Sequence, residues 1–576
     1  MLTVIKRRPD VAINERIHEL PPILQRVYAQ RGINSEEEID HSLTKALPPG
    51  KLMNVDAGVE LIYQCMEKDE SILIVGDFDA DGATSTALFI RTMQSFGYSN
   101  IDYLVPNRFE FGYGLTPEIV EVAAQSNPAL IITVDNGISS IEGVAVARDK
   151  GIGVLITDHH LPGKKLPNAN VIINPNQVGD IFPSKHLAGV GVVFYVVSAL
   201  RAFLRNKDWF NDKKIPEPNL AQFLDIVAIG TVADVAKLDY NNRILVDQGL
   251  RRIRANKCCA GVRALLTVAG KKLFRISSAD LGFVIGPRLN AAGRLEDMSL
   301  GIECLLTNDE SCATELAEQL NNLNEERKQI EQEMQKQALH VLNSDQLENV
   351  DSHRFGIALY DPDWHQGVIG IVAARIKENF HRPVIVFAQT NETELKGSAR
   401  SIPGLHIRDA LDLLATRHPY LVNTFGGHAM AAGMSIPKEK FAEFSEVFND
   451  IIEELVTPEQ LEAILLSDGE LNETDMNLGI AEMLFRAGPW GQGFPEPMFD
   501  GVFNVNEHRI VGQHHLKLRV TPSGGKQAID AIAFNIDRHQ WQEGAREVRL
   551  AYQLSVNEFR GIRSPQLIIQ YLESLN

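Results

Sequence analysis

The stretch that most constrains this chain is SILIVGDFDADGATSTALF, residues 71–89. Its apolar run through Val75 reads as a buried parallel strand, because strands covered on both faces lose the apolar–polar alternation of half-exposed ones. Gly76 ends the strand, Asp77, Asp79 and Asp81 follow at alternate positions, and Gly82 lets the chain turn into a helix beginning near Ala83. Carboxylates crowded at the end of a buried strand repel one another, and burying them unpaired costs several kcal/mol or moves their pKa values. A multivalent cation resolves that conflict. Asp also accepts local backbone hydrogen bonds and caps helices, so an isolated DxDxD is by itself a weak sign of metal.

The surrounding pattern strengthens it. Between residues 71 and 175 short apolar strands (SILIVG, IDYLV, ALIITV, GVLIT, VIIN) alternate with helical stretches, which predicts a parallel sheet with helices on both faces. Ligands of such sheets sit beyond the carboxyl ends of the strands. Polar residues stand there: ALIITV runs into Asp135, Asn136 and Gly137, GVLIT runs into Asp158, His159 and His160, and QFLDIVAIGTVADVAKL carries Asp234 just past Gly230, Thr231 and Ala233. Segments far apart in sequence thus deliver acids or imidazoles to one predicted edge. The plainer alternative is a set of independent turn and capping residues, and for His160 alone a hydrogen bond to its neighbour.

At 576 residues the chain has room for about three or four domains, at roughly 150 residues each. No apolar run approaches the roughly 20 residues of a membrane span, and the start MLTVIKRRPDVAINER lacks an apolar leader core, so a cytoplasmic protein away from the membrane is expected. Cys65, Cys258, Cys259, Cys304 and Cys312 form no CxxC and read as free thiols of a reducing compartment. A net charge of −19 argues against a nucleic-acid partner when taken alone. Its distribution weakens that argument: residues 441–485 hold twelve acids and no Lys or Arg, while residues 251–275 hold eight bases and no acid. Screening confines each patch to about 8–10 Å, so a basic groove can coexist with an acidic segment.

The remaining organisation is an α/β chain in segments. Residues 1–50 read as a helical lead-in, 51–300 as the parallel-sheet domain with a helical extension, and 301–350 as a connector whose Gly- and Pro-free core, 309–343, is one long helix. Residues 351–455 form a second α/β unit with strands FGIALY, PVIVFAQ and KGSARS; in its FGGHAMAAG segment, Gly426 and Gly427 beside His428 either open backbone amides to a phosphate or base or make a tight turn. Residues 456–490 read as an acidic connector and 491–576, with short strands separated by turn residues, as a small antiparallel barrel.

Two divalent ions about 3.5–4 Å apart suit displacement at a phosphodiester and need several shared ligands. Asp77, Asp79, Asp81, Asp135, His159, His160 and Asp234 supply carboxylates and imidazoles, a set suited to Mn²⁺ or Mg²⁺, with the imidazoles favouring Mn²⁺. Cationic groups must hold the substrate backbone. Arg108, Arg288, Arg294 and Arg400, the last near Ser398, all lie in Gly- or small-residue-rich segments, as groups reaching an open cleft would.

In their order and spacing, GDFDADG, VDNG, TDHH and GTVADV resemble the motifs of the DHH phosphoesterases, and GSARS with FGGHAMAAG resembles the associated DHHA1 domain. With GPRLNAAGRLED, DPDWHQGVIGIVAARI and the terminal barrel, the likeness is greatest to the single-strand-specific 5′→3′ DNA exonucleases of that superfamily. It covers nearly the whole chain and is least distinctive over 1–50 and 441–485. The resemblance implies that Asp79 binds one metal, Asp135 bridges, and Asp81, His159 and Asp234 hold the other. It further implies that Asp77 lines the site and His160 faces the phosphate. By the same resemblance Arg108, Ser398 and Arg400 would hold the 5′ end, with Arg288 and His428 along the strand near the scissile phosphate. The family often has a His four residues before the counterpart of Asp79, whereas this chain has Val75, which implies water ligands or help from Asp77. A role in DNA recombination and repair follows, with single-stranded DNA as substrate, an OB-like barrel that binds it, and single-strand-binding protein and a helicase as partners. A monomer is expected. The alternatives are a phosphodiesterase of short oligonucleotides or cyclic dinucleotides, which the barrel disfavours, and a catalytically dead scaffold, which the intact acids disfavour.

Overall fold

The computed structural model describes residues 3–106, 114–343, 354–512, 515–536, 541 and 544–575. The chain divides into two compact units, one of Met1–Arg7 with Glu325–Ser467 and one of Arg8–Asn324 with Asp468–Asn576.

The larger unit is built on a parallel sheet in the order Ile101–Leu104, Ile72–Gly76, Leu130–Val134, Gly153–Thr157, Val171–Ile173. Successive residues serve opposite cores. Ile72 and Ile74 join the face covered by helices Val55–Lys68, Ala80–Ser95 and Gly189–Asn206. Leu73 and Val75 join the face covered by Pro117–Ala123 and Ile141–Asp149. Burial on both faces is why these strands carry unbroken apolar runs. From Ile72–Gly76 the chain crosses to one neighbouring strand and then returns to the other side at Leu130–Val134, so the strand order reverses between those two strands. A crevice at such a reversal is where open α/β sheets bind ligands. Helix Gly189–Asn206 is long and apolar enough to cross a membrane, yet Val190, Val193, Leu200 and Leu204 spend that apolarity on the core.

The same unit holds the C-terminal barrel, closed in the order Phe499–Val511, His515–Pro522, Ile529–Ala533, Ile562–Ser574, Glu547–Phe559. The barrel is not antiparallel throughout, because Ile529–Ala533 runs parallel to Ile562–Ser574. Its interior, with Phe499, Phe503, Leu518 and Leu567, is continuous with a core that includes Leu24 and Tyr28, Leu250 and Ile253, and Leu289. Tyr28 stacks on Phe494, which stacks on Trp490. The basic segment 251–275 is neutralised in place: Arg251 pairs with Asp247, Arg263 with Glu310, Lys271 with Asp280, and Lys272 and Arg275 with Glu558. Asp247 and Asp280 are near in sequence whereas Glu310 and Glu558 come from remote segments, so the charge run that stood out in sequence is not a bare basic groove.

The smaller unit has a mixed sheet in the order Thr424–Gly427, Ala431–Pro437, Glu394–Arg400, Val384–Gln389, Ile357–Tyr360, with the last two strands parallel. Helices Ile407–Arg417 and Phe441–Leu455 supply Leu411, Leu414, Phe444 and Phe448 to one core, and Ile369–Phe380 supplies Val372 and Ile376 to another. A short parallel pair joins Thr3–Arg7 to Ala463–Ser467. The lead-in is therefore not helical throughout: its first strand is specified by a partner more than 400 residues away, and five local residues carry no signal of that. Helix Glu310–Asn343 begins in the larger unit and ends in the smaller.

Candidate metal centre

The turn after Ile72–Gly76 is tighter than its sequence promises. Helix Ala80–Ser95 begins at Ala80, three residues before the expected start at Ala83, because Asp79 caps it: Asp79 Oδ1 accepts the amides of Asp81 at 2.9 Å and Gly82 at 3.0 Å. A cap of this kind satisfies orphan amides of the first turn and places a carboxylate at the positive end of the helix. Gly82 is needed for close approach rather than for the turn, since a Cβ there would meet the Asp77 backbone.

The other carboxylates converge on this turn. Asp135 leaves Leu130–Val134 with φ +62°, a left-handed conformation that a non-glycine residue adopts at some energetic cost. A Cβ on Gly189 would lie 2.6 Å from the Asp135 Cβ, so that glycine makes room for the acid. Asp81 accepts the Gly189 amide at 2.6 Å and the Val190 amide at 2.9 Å, at the start of Gly189–Asn206, and a Cβ on Gly230 would lie 2.8 Å from Asp81 Oδ1. Asp234 caps the C-terminal end of Leu224–Ala233. His159 Nε2 lies 3.1 Å from Asp135 Oδ1, 3.8 Å from Asp234 Oδ2 and 3.9 Å from Asp81 Oδ2. Ligand atoms fall within 4.8 Å of one another in the groups Asp77–Asp79–Asp135, Asp81–His159–Asp234 and Asp135–His159–His160.

Val75, where the resemblance expects a His, is fully buried in the apolar core of the sheet's other face. Asp77 instead stands with Asp79 and Asp135. Asp158, to which the sequence reading gave no role, is a buried hub. It accepts the amides of Ile138 at 2.9 Å, His159 at 2.7 Å and His160 at 3.0 Å, and meets His160 Nδ1 at 2.8 Å. Its signal in sequence was only its place at a strand end. Gly189 and Gly230 carried none, because close approach to a remote carboxylate leaves no local pattern.

The electrostatics follow from crowding in a dry site. Burial and then the charge of Asp79 push Asp81 up to about 7 and hold Asp77 well above the usual carboxylate range. Asp135 and Asp234 are raised well above it by burial and then by Asp81 and Asp79. Burial opposes charge on both members of the Asp158–His160 pair, but their hydrogen bond and mutual attraction outweigh it, keeping Asp158 low and His160 up at about 9. A divalent cation fits this donor set: hard oxygens and one imidazole nitrogen, crowded, shielded, and held against protonation only by an added positive charge.

The remaining predicted residues are described each within its own unit, and one is outside the described residues. Arg288 is only 8% exposed, with Nη1 donating to Val284 O at 2.8 Å and Nε and Nη2 to Asn321 Oδ1 at 3.1 and 2.9 Å. Ser398 and Arg400 belong to the smaller unit, where Arg400 Nη1 donates to Ser398 Oγ at 3.0 Å. A Cβ on Gly370 would lie 2.8 Å from Arg400 Nη2 and 3.0 Å from Ser398 Oγ. Burial lowers the Arg400 pKa. His428, in the same unit, is exposed beyond strand Thr424–Gly427, where Gly426 and Gly433 border open space. Arg108 lies outside the described residues.

Three family models match: the DHH family, N-terminal domain over residues 71–231, the DHHA1 domain over 354–454, and the RecJ OB domain over 467–571. A protein of Dickeya dadantii named single-stranded-DNA-specific exonuclease RecJ is 54% identical over 574 residues, 99% of each chain. The chain belongs to the RecJ family. A crystal structure of the family's Thermus thermophilus member in complex with Mn²⁺ superimposes with a TM-score of 0.80 at 28% identity, covering 99% of this chain and 80% of that one. The Mg²⁺ complex from the same organism gives 0.75 at 26% identity, covering 99% and 79%. The fold is thus that of RecJ, with DHH, DHHA1 and OB parts.

Proposed function

We propose that this chain is a two-metal-ion exonuclease that degrades single-stranded DNA from its 5′ end to 5′-mononucleotides in recombination and repair. The observation that carries the reading is the meeting of three ligand groups at one strand-order reversal, in a chain 54% identical end to end to a named single-strand exonuclease. When bound, Mn²⁺ or Mg²⁺ ions supply charge neutralisation at the phosphate and an activated water. Asp77, Asp79 and Asp135 would hold one ion, and Asp81, His159 and Asp234, beside Asp135, would hold a second. Asp158 keeps the proton on His160, whose Nε2–H donates to a phosphate oxygen as charge grows there. Ser398, Arg400 and Arg108 hold the 5′ end. Arg288, exchanging Asn321 for phosphate, and His428 lie along the strand. The OB domain holds the 3′ portion, which favours a long polymer over a short oligonucleotide. A cytoplasmic monomer supplied with strands by a helicase, and working beside single-strand-binding protein, completes the proposal.

The test is incubation of the protein and Mn²⁺ with 5′- or 3′-labelled single strands, duplex and RNA. Early release of the 5′ label from single-stranded DNA alone is expected; early release of the 3′ label, or equal attack on duplex, overturns the reading.

A further inference from the structure

Every amide in the first turn of helix Ala80–Ser95 can be accounted for. Asp79 Oδ1 takes Asp81 N and Gly82 N, and the Asp79 carbonyl takes Ala83 N at 2.9 Å. The remaining amide, Ala80 N, lies between two acids of the metal centre. It donates at 2.8 Å to Asn290 Oδ1, which comes from helix Gly286–Leu295, 210 residues further along the chain. A helix start leaves such amides without intrahelical partners.

A second contact fixes the same turn from the same helix. A Cβ on Gly293 would fall inside the Phe78 carbonyl oxygen, so the helix packs directly on the backbone between Asp77 and Asp79. Gly82, on the helix the turn enters, also packs close, since a Cβ there would meet the Asp77 carbonyl oxygen. Helix Gly286–Leu295 thus packs on the Asp77–Ala80 backbone, and its Asn290 gives Ala80 N a side-chain acceptor from outside the turn. The amide orientation of Asn290 is set by this contact, since only its oxygen can accept from an N–H.

We propose that Asn290 is a positioning residue for the metal centre: by taking Ala80 N it fixes the turn in which Asp79 Oδ1 caps the helix, so that the second Asp79 oxygen stays with Asp77 and Asp135 at the ion site. The inference rests on the two-ion reading above and adds a residue that touches neither ion nor substrate. Groups that orient metal ligands from behind typically change affinity by about 10–100-fold when removed.

The test is equilibrium Mn²⁺ titration of the full chain, read from the signal of free Mn²⁺ and carried out with no DNA, on Asn290→Ala, Asn290→Ser and Asn290→Asp. Thermal melting in EDTA identifies which variants fold. Asn290→Ala is expected to bind Mn²⁺ about tenfold more weakly. On single strands it should lower kcat while leaving KM within about twofold, the split expected when alignment rather than substrate binding is lost. Asn290→Asp, which keeps an acceptor for Ala80 N, is expected to restore Mn²⁺ affinity. Unchanged affinity in whichever of the Ala and Ser variants folds overturns the proposal, as does a rise in KM alone, which would make Asn290 a strand contact. Because the titration uses no DNA, failure of the exonuclease reading and failure of this one show separately.

Discussion

Asp135 illustrates what single residues give up to build this centre. It sits at φ +62°, buried, 3.1 Å from His159, in a space that exists because residue 189 is glycine. Gly189→Ala is expected to destabilise the metal-free protein by about 1–3 kcal/mol through overpacking, and to weaken Mn²⁺ binding, measured by melting with and without the ion. Asp81→Ala and His159→Ala should each lower hydrolysis more than about 10²-fold with the fold intact by circular dichroism; substantial Mn²⁺-supported activity in either would contradict the ligand assignment. The raised carboxylates also set a pH dependence. Asp81 has a folded pKa of about 7 against an ordinary 3.8, so between those values the folded chain binds more protons than the unfolded one, and its stabilising contribution, present below pH 3.8, is lost as pH rises towards 7. Mn²⁺ removes that loss by pairing the charges. The gain in Tm on adding Mn²⁺ should therefore grow from pH 5 to pH 8, and a gain independent of pH would mean the acids are not its site.

At the scale of elements, what sequence could reveal was periodicity and its interruptions. The unbroken apolar runs named the parallel strands, and the acids following them named the sheet edge, because both are local patterns with a direct structural cause. Strand Thr3–Arg7 and the parallel pair inside the barrel were not legible, since each is defined by a remote partner. Helix Ala80–Ser95 starts earlier than Gly82 suggests because Asp79, a candidate ligand, is also its cap. The barrel's outward face presents Arg509, Lys517 and Arg519 among Glu507 and Asp530, with Lys517 paired to Asp530 at 2.8 Å. Replacing Arg509 and Arg519 by Ala should weaken binding to long single strands and reduce the salt slope by about 2, with short strands little affected. An effect on short and long strands alike would remove the barrel from the strand's path.

For the molecule as a whole, the net charge of −19 misled in one direction and the basic run 251–275 in the other. Folding pairs Arg263, Lys272 and Arg275 with the distant Glu310 and Glu558, and Arg251 and Lys271 with the nearby Asp247 and Asp280, while the acids of the candidate metal centre are a few buried groups that no sum reports. The barrel shares one continuous core with helices of the larger unit, so deleting residues 490–576 should lower stability sharply rather than act on DNA binding alone, as a fall in Tm or in soluble yield will show. Clustered acids at the strand-order reversal call for a two-ion centre. Anomalous diffraction from crystals grown with Mn²⁺ tests it most directly. Two peaks about 3.5–4 Å apart are expected, one against Asp77, Asp79 and Asp135 and one against Asp81, His159 and Asp234, with Asp135 between them. A single peak, or peaks away from Asp135, would contradict it.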